Sequence, residues 1–180
     1  MKMTALAVVL AATAGMSMNV NAANQGSGSL TFKGSIIEAP CSINPNSSNQ
    51  EVDLGQVNSA QLKNSGTSTP QNFQINLENC ALTKKEDGTT IAPTLKLTFG
   101  GAPAVAGNSS WFGITGNASG AGIVITDAAS NKIPVGGLSV TRSLLEGSNT
   151  LSFSAYLQGI GSTVTPGNFQ SIVDFILAYE

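Results

Sequence analysis

The stretch Gln71-Asn72-Phe73-Gln74-Ile75-Asn76-Leu77-Glu78-Asn79-Cys80 sets apolar side chains at every second position, Phe73, Ile75 and Leu77, with polar ones between. Successive side chains leave opposite faces of a pleated strand, so a period of two with one apolar face is what a half-buried antiparallel strand requires. The alternation returns at Leu95, Leu97 and Phe99, and again at Leu151, Phe153, Ala155 and Leu157. Ile123 and Ile125 flank Val124, and near the end of the chain Phe169, Val173, Phe175, Leu177 and Tyr179 share one parity. Segments rich in Ser, Thr, Asn and Gly, such as 44–50, 63–70 and 100–110, separate these runs and have the composition of turns. Past residue 22 no window of ten residues holds a helical stripe. Many short strands at this spacing predict an all-β domain, sandwich or barrel, with the sandwich preferred.

The first 22 residues read differently. Lys2 gives a positive start, residues 5–15 are small and apolar, and Val20-Asn21-Ala22 places suitable residues at the −3 and −1 positions of a cleavage site. This is the pattern of a secretory signal peptide, and the apolar run is too short to span a bilayer as a helix. Cleavage after Ala22 leaves a chain of single-domain size, enough to bury a substantial core. Residues 23–29 are polar and glycine-rich, by composition a loose terminus.

Export changes the reading of the cysteines. Cys41 and Cys80 are the two in the chain, and two thiols in an exported protein are expected to pair. The bond would close a loop of about 40 residues, worth about 3–4 kcal/mol by loop-closure entropy. A metal site is the rival use of cysteine. The sequence holds no histidine, and neither cysteine has a second one nearby.

The same lack of histidine removes the commonest general base and the imidazole of a serine triad. Glu51 and Asp53 form the one carboxylate pair that suggests catalysis, and they read as the exposed side of a strand beside Val52 and Leu54. The glycines of 116–122 match neither a phosphate loop nor a dinucleotide fingerprint. Triplets at Asn46, Asn108 and Asn117 fit the glycosylation pattern, as chance allows in a chain this rich in Asn and Ser. Trp111, the single tryptophan, suits a partly buried sandwich position, with sugar stacking as the alternative. A net charge of −2 lacks the basic footprint of a nucleic-acid binder. No cofactor, metal or enzymatic activity is expected.

Taken in order, several local patterns resemble the pilin subunits of chaperone–usher fimbriae, P-pilus and type 1-like major subunits in particular. Phe32-Lys33-Gly34 followed by Glu38-Ala39-Pro40-Cys41-Ser42-Ile43 is similar to that family's first strand and first cysteine. Asp53-Leu54-Gly55-Gln56-Val57 resembles its second strand, Phe73 to Cys80 the strand bearing the second cysteine, and Gly122 to Asp127 a strand of mid-domain. A glycine fourteenth from the end, Gly167, and a penultimate tyrosine, Tyr179, complete the likeness.

The resemblance implies an incomplete immunoglobulin-like sandwich whose final strand is missing and is supplied in trans. It divides the chain into a signal peptide (1–22), an N-terminal donor-strand extension (23–33) and a pilin domain (34–180). Gly26, Gly28, Leu30 and Phe32 would face inward on the donated strand. Gly167, Phe169, Val173, Phe175, Leu177 and Tyr179 would lie on the strand that walls the groove and docks the chaperone. The implied partners are a periplasmic pilus chaperone, an outer-membrane usher, further copies of the chain and other pilins. The implied place is the cell surface, reached through the periplasm, and the implied function is a structural subunit of an adhesive fimbria. A minor adaptor near the fibre tip and a secreted carbohydrate-binding domain are the alternatives. A two-domain tip adhesin does not suit a chain with room for one domain and an extension.

Overall fold

The structure, a computed structural model, describes residues 28–105, 108–139 and 141–180. The expected signal peptide and the first part of the extension, Gly26 included, lie outside the described residues. The chain divides into two units, residues 1–36 and 37–180. In the first, residues 28–36 form no strand, and Leu30 and Phe32 are 84% and 89% exposed.

The second unit is built from strands. In chain order they are β1 (Ser42–Ile43), β2 (Gln71–Cys80), β3 (Thr83–Lys84), β4 (Thr90–Ile91), β5 (Thr94–Gly101), β6 (Pro103–Val105) and β7 (Asn108–Phe112). There follow β8 (Thr115–Gly116), β9 (Ala121–Asp127), β10 (Lys132–Ile133), β11 (Arg142–Ser143), β12 (Gly147–Gly159), β13 (Phe169–Gln170) and β14 (Val173–Tyr179). The described helices are short: α1 (Pro45–Ser48) and α2 (Ser59–Leu62), capped by the side chains of Asn44 and Asn58, and the 3-10 turn Lys63–Ser65.

A large sheet runs in the order β1-β2-β12-β9-β7-β6, with β10 added beside β9, and a smaller one in the order β11-β5-β14. All pairings are antiparallel. The thirteen-residue β12 is the spine of the large sheet, since it pairs with β2 on one side and β9 on the other. The alternations read from the sequence become the inner faces. Ile75 and Leu77 of β2, Leu95, Leu97 and Phe99 of β5, and Leu151, Phe153, Ala155 and Leu157 of β12 are all buried. Three rings clamp the two sheets together. Phe99 of the small sheet meets Phe153 edge-on at 5.1 Å and Phe73 at 6.2 Å, while Phe73 stacks on Phe153 at 5.5 Å. Two sheets packed face to face make this a sandwich and not a barrel, the immunoglobulin-like arrangement that the resemblance implied.

The large sheet curls at its far edge. A Cβ on Gly122 would stand 2.7 Å from the Cβ of Trp111 and 2.8 Å from that of Ala104, so β6 and β7 approach the backbone of β9 closely. This explains why β9 is covered on both faces, with Val124 as inaccessible as Ile125. Trp111 is half-buried there.

Cys41 and Cys80 are disulfide-bonded, tying the residue before β1 to the end of β2. Two strands expected from the sequence are absent or shortened. The first is only Ser42–Ile43, paired to Glu78 and Leu77. Pro40 has no N–H to extend the ladder, its carbonyl accepts from Ala81 at 2.8 Å, and Asn79 at φ 53° bends β2 away. The second, around Asp53 to Val57, belongs to no sheet. The Gly55 N–H donates to Asp53 Oδ1 at 2.8 Å with Gly55 at φ +68°, a side-chain turn that breaks the alternation. The half-buried residues accordingly shift from Val52 and Leu54 to Val57. The last strand, expected over 167–179, is split into β13 and β14 with Gly167 ahead of both. The loop expected around 116–122 is shorter than its glycines suggest, because β8 and β9 take its two ends.

Candidate functional site

β14 ends the small sheet. It pairs with β5 along one edge, Phe175 opposite Phe99 and Leu177 opposite Leu97, and among the described residues its other edge carries no strand. Its side chains alternate as a strand with one apolar face must, yet Phe175, Leu177 and Tyr179 are only half-buried where their β5 counterparts Phe99, Leu97 and Leu95 are fully so, and Val173, opposite Gly101, is half-buried too. Beside that free edge opens a groove of about 1440 Å³. Phe169, Val173 and Phe175 form one wall. Residues 49–57 form the other, with Val52, Leu54 and Val57 turned partly inward and no backbone hydrogen bond to β14. The floor is Phe73, Ile75, Ile123, Ile125, Ala155 and Leu157 of the large sheet.

The groove closes at one end by backbone packing. β13 pairs with β8, Phe169 opposite Gly116, and Thr165 bridges to Ser119. A Cβ on Gly116 would stand 2.3 Å from the Asn168 carbonyl, and one on Gly167 2.8 Å from the backbone of Asn117 and Ala118. Glycine at both places lets two backbones lie in contact. Under this end sits a small second core of Leu62, Ala121 and Leu157, ringed by half-buried Leu54, Val57, Ile114, Ile123, Val164 and Phe169.

Of the residues expected on a groove wall, the structure sets Gly167, Phe169, Val173 and Phe175 along the groove. Leu177 and Tyr179 continue the same face but pack against the main core beyond it, where desolvation raises the Tyr179 phenol above its ordinary value. Leu30 and Phe32 lie in the other unit, exposed. Sequence reading missed the wall of Val52, Leu54 and Val57 and the end formed by Ile114 and Val164. The available signal was the apolar run inside 52–57, mistaken for a paired strand.

The site is shaped to bind. Its floor is apolar and its borders are polar, with exposed Glu51, Asp53 and Asp174 along the rim. Among the described residues no cluster of His, Cys, Asp or Glu could hold a metal ion. An apolar trough beside an unpaired strand edge suits an extended peptide, whose backbone would extend the sheet while alternate side chains fill the trough.

Comparison with known proteins agrees with this geometry. Residues 30–180 match the family described as Fimbrial protein. The chain is 49% identical to Fimbria A protein of Serratia marcescens over 97% of its own length and 96% of the relative's. It is 42% identical to the Major MR/P fimbria protein of Proteus mirabilis over the whole of both. Among solved structures it resembles the P pilus rod subunit PapA, at 33% identity and a TM-score of 0.69, covering 79% of this chain and 100% of that one. It also resembles a subunit of a chaperone–usher pilus, at 34% identity and a TM-score of 0.74, covering 87% and 97%. A chain matched from residue 30 to its last residue, and sharing its fold with a P pilus rod subunit, belongs to the fimbrial protein family.

Proposed function

We propose that this chain is a structural subunit of a bacterial fimbria, joined to its neighbours by strand donation into the groove beside β14. The observation that carries the reading is the pairing of two incomplete features. The domain exposes a trough walled by Val173 and Phe175, while Leu30 and Phe32 of the N-terminal segment stand almost wholly in water. Burying those two side chains in a second copy's trough is worth about 1.5–3 kcal/mol each, and backbone pairing to β14 would remove the exposed edge. The contact is head-to-tail, so it propagates into a filament instead of closing.

In this reading residues 1–22 are removed on export, 23–33 become the donated strand, and 34–180 form the accepting domain. Gly26, Gly28, Leu30 and Phe32 face the groove, with the glycines where the strand lies close to its floor. The strand edge of β14 needs cover before assembly, which a periplasmic chaperone supplies until the outer-membrane usher brings the next subunit. The partners are therefore copies of the chain and related pilins at the cell surface, with no catalytic step. Relatives named as major fimbrial proteins favour the shaft over an adaptor position.

Deleting residues 23–29 tests the reading. The truncated subunit should accumulate with its chaperone in the periplasm while surface fibres, counted by electron microscopy, disappear. Fibres of normal number and length would overturn it. A gentler variant is Gly28→Arg, which should block joining without harming the accepting domain.

A further inference from the structure

Three carboxylates stand on the rim of the groove, Glu51 and Asp53 on one wall and Asp174 on the other, all exposed. Among the described residues no lysine or arginine lines it. The basic side chains lie elsewhere: Lys96 pairs with Glu180 at 2.5 Å, Lys132 donates to Gln158 at 3.1 Å, and Arg142 reaches the Thr150 carbonyl. Among the described residues Asp174 has no ion-pair partner, and the residue opposite it on β5 is Gly100, which offers no side chain. Residues 23–33 carry one charged side chain, Lys33, and no acid.

Parity places these charges on one face. On β14 half-buried Val173 and Phe175 alternate with exposed Asp174, and on the opposite wall half-buried Val52 and Leu54 alternate with exposed Glu51 and Asp53. A strand laid between them with Leu30 and Phe32 inward turns Lys33 outward, to the side where the acids stand. We propose that Lys33 and the acidic rim formed by Glu51, Asp53 and Asp174 are a charge-based selection device for the strand of a second copy. The device favours a basic strand, opposes an acidic one and speeds the encounter. The inference rests on the donor-strand reading above and adds to it which strands are accepted fastest.

A pair of opposite charges across neighbouring strands is worth about a two- to fivefold change in affinity, and steering adds to the association rate at low salt. The experiment uses the full-length subunit held by its chaperone. It is mixed with synthetic peptides of residues 23–34, natural, Lys33→Gln and Lys33→Glu, at low and high salt (about 0.02 and 0.5 M, where the screening length falls from roughly 20 Å to a few ångström). Chaperone release is followed by native electrophoresis. At low salt Lys33→Gln should be about two- to fivefold slower than the natural peptide and Lys33→Glu slower again, and all three should converge at high salt. In an Asp174→Lys subunit the order should compress or reverse. Equal rates at low salt, or a deficit unchanged by salt, would overturn the charge device while leaving strand donation standing. Failure of the natural peptide to release chaperone at either salt would overturn strand donation itself, and the charge device with it.

Discussion

The sandwich has a finished half and an unfinished one, built from the same strands. Where β2, β12 and β5 face each other, Phe73, Phe99 and Phe153 interlock and the core is closed by Ile75, Leu77, Leu95, Leu97 and the disulfide. Toward the other side the described residues form a small cluster of buried Leu62, Ala121 and Leu157, and six described apolar neighbours remain half in water. Polar substitution does not explain the contrast, because Ile114, Val164 and Phe169 are as apolar as the closed half. Among the described residues no strand lies between β14 and residues 49–57. The difference separates residues that hold the subunit together from residues that wait for another chain.

The largest effect should come from the finished half. Phe99→Ala removes the ring that touches both others and should cost about 3–5 kcal/mol, read as a lower guanidinium midpoint of the chaperone-held subunit. Replacing Cys41 and Cys80 by serine opens a loop whose ends are 39 residues apart and should cost about 3–4 kcal/mol. Both losses should be nearly the same in bare subunits and in fibres: the disulfide does not line the groove, and Phe99, although it lines the groove, is already buried without another strand. A loss that vanished on assembly would erase the distinction between the halves.

Phe175→Ala sharpens the comparison. The ring is half-buried against the main core and lines the groove, so truncation should cost about 1–2 kcal/mol in the subunit and more once a strand covers it. The measurement is the difference between fibre and subunit unfolding midpoints. An unchanged difference would mean that nothing packs on Phe175 in the fibre.

The finished half was the legible one. Phe73, Ile75 and Leu77, the β5 triplet and the β12 quartet alternate because they meet partners from their own chain, so pattern and burial agree. The wall at 52–57 misled because a local hydrogen bond, Asp53 to Gly55, overrides an apolar run that propensity reads as a paired strand. The first strand was overread for a similar reason: Pro40 ends a ladder that Phe32 to Ile43 otherwise suggests. Val124 could not be assigned two covered faces from its own neighbours, since Ala104 and Trp111 reach that strand only through the curl of β6 and β7. Leu30 and Phe32 have the alternation of a strand but pair with no strand among the described residues and stay exposed, which is why pattern and burial part there.

The smallest effect, and the one that tests whether charge as well as packing serves the finished half, is at Asp127. This carboxylate sits at the end of β9, opposite Phe153 of β12, and organises the turn into β10. Its Oδ1 accepts from the backbone N–H of Ala129 at 2.9 Å and of Asn131 at 2.8 Å, and its Oδ2 from the Asn131 side chain at 2.9 Å. The Asn131 side chain, aided by the two backbone donors and opposed by desolvation, holds the Asp127 pKa below the ordinary value of 3.8. A carboxyl whose folded pKa is depressed stabilises the fold above the unfolded value, and that share is lost as pH falls through the folded one. Asp127→Asn keeps an oxygen for the two backbone donors but loses the charge and the second acceptor. It should therefore cost about 1 kcal/mol at neutral pH. The gap between natural and variant proteins, followed by thermal unfolding from pH 7 downward, should hold to about pH 4–5 and narrow below that as the natural carboxylate is protonated. A gap that stayed constant into acid would assign the loss to altered turn geometry and remove charge from the account of this end of the sandwich.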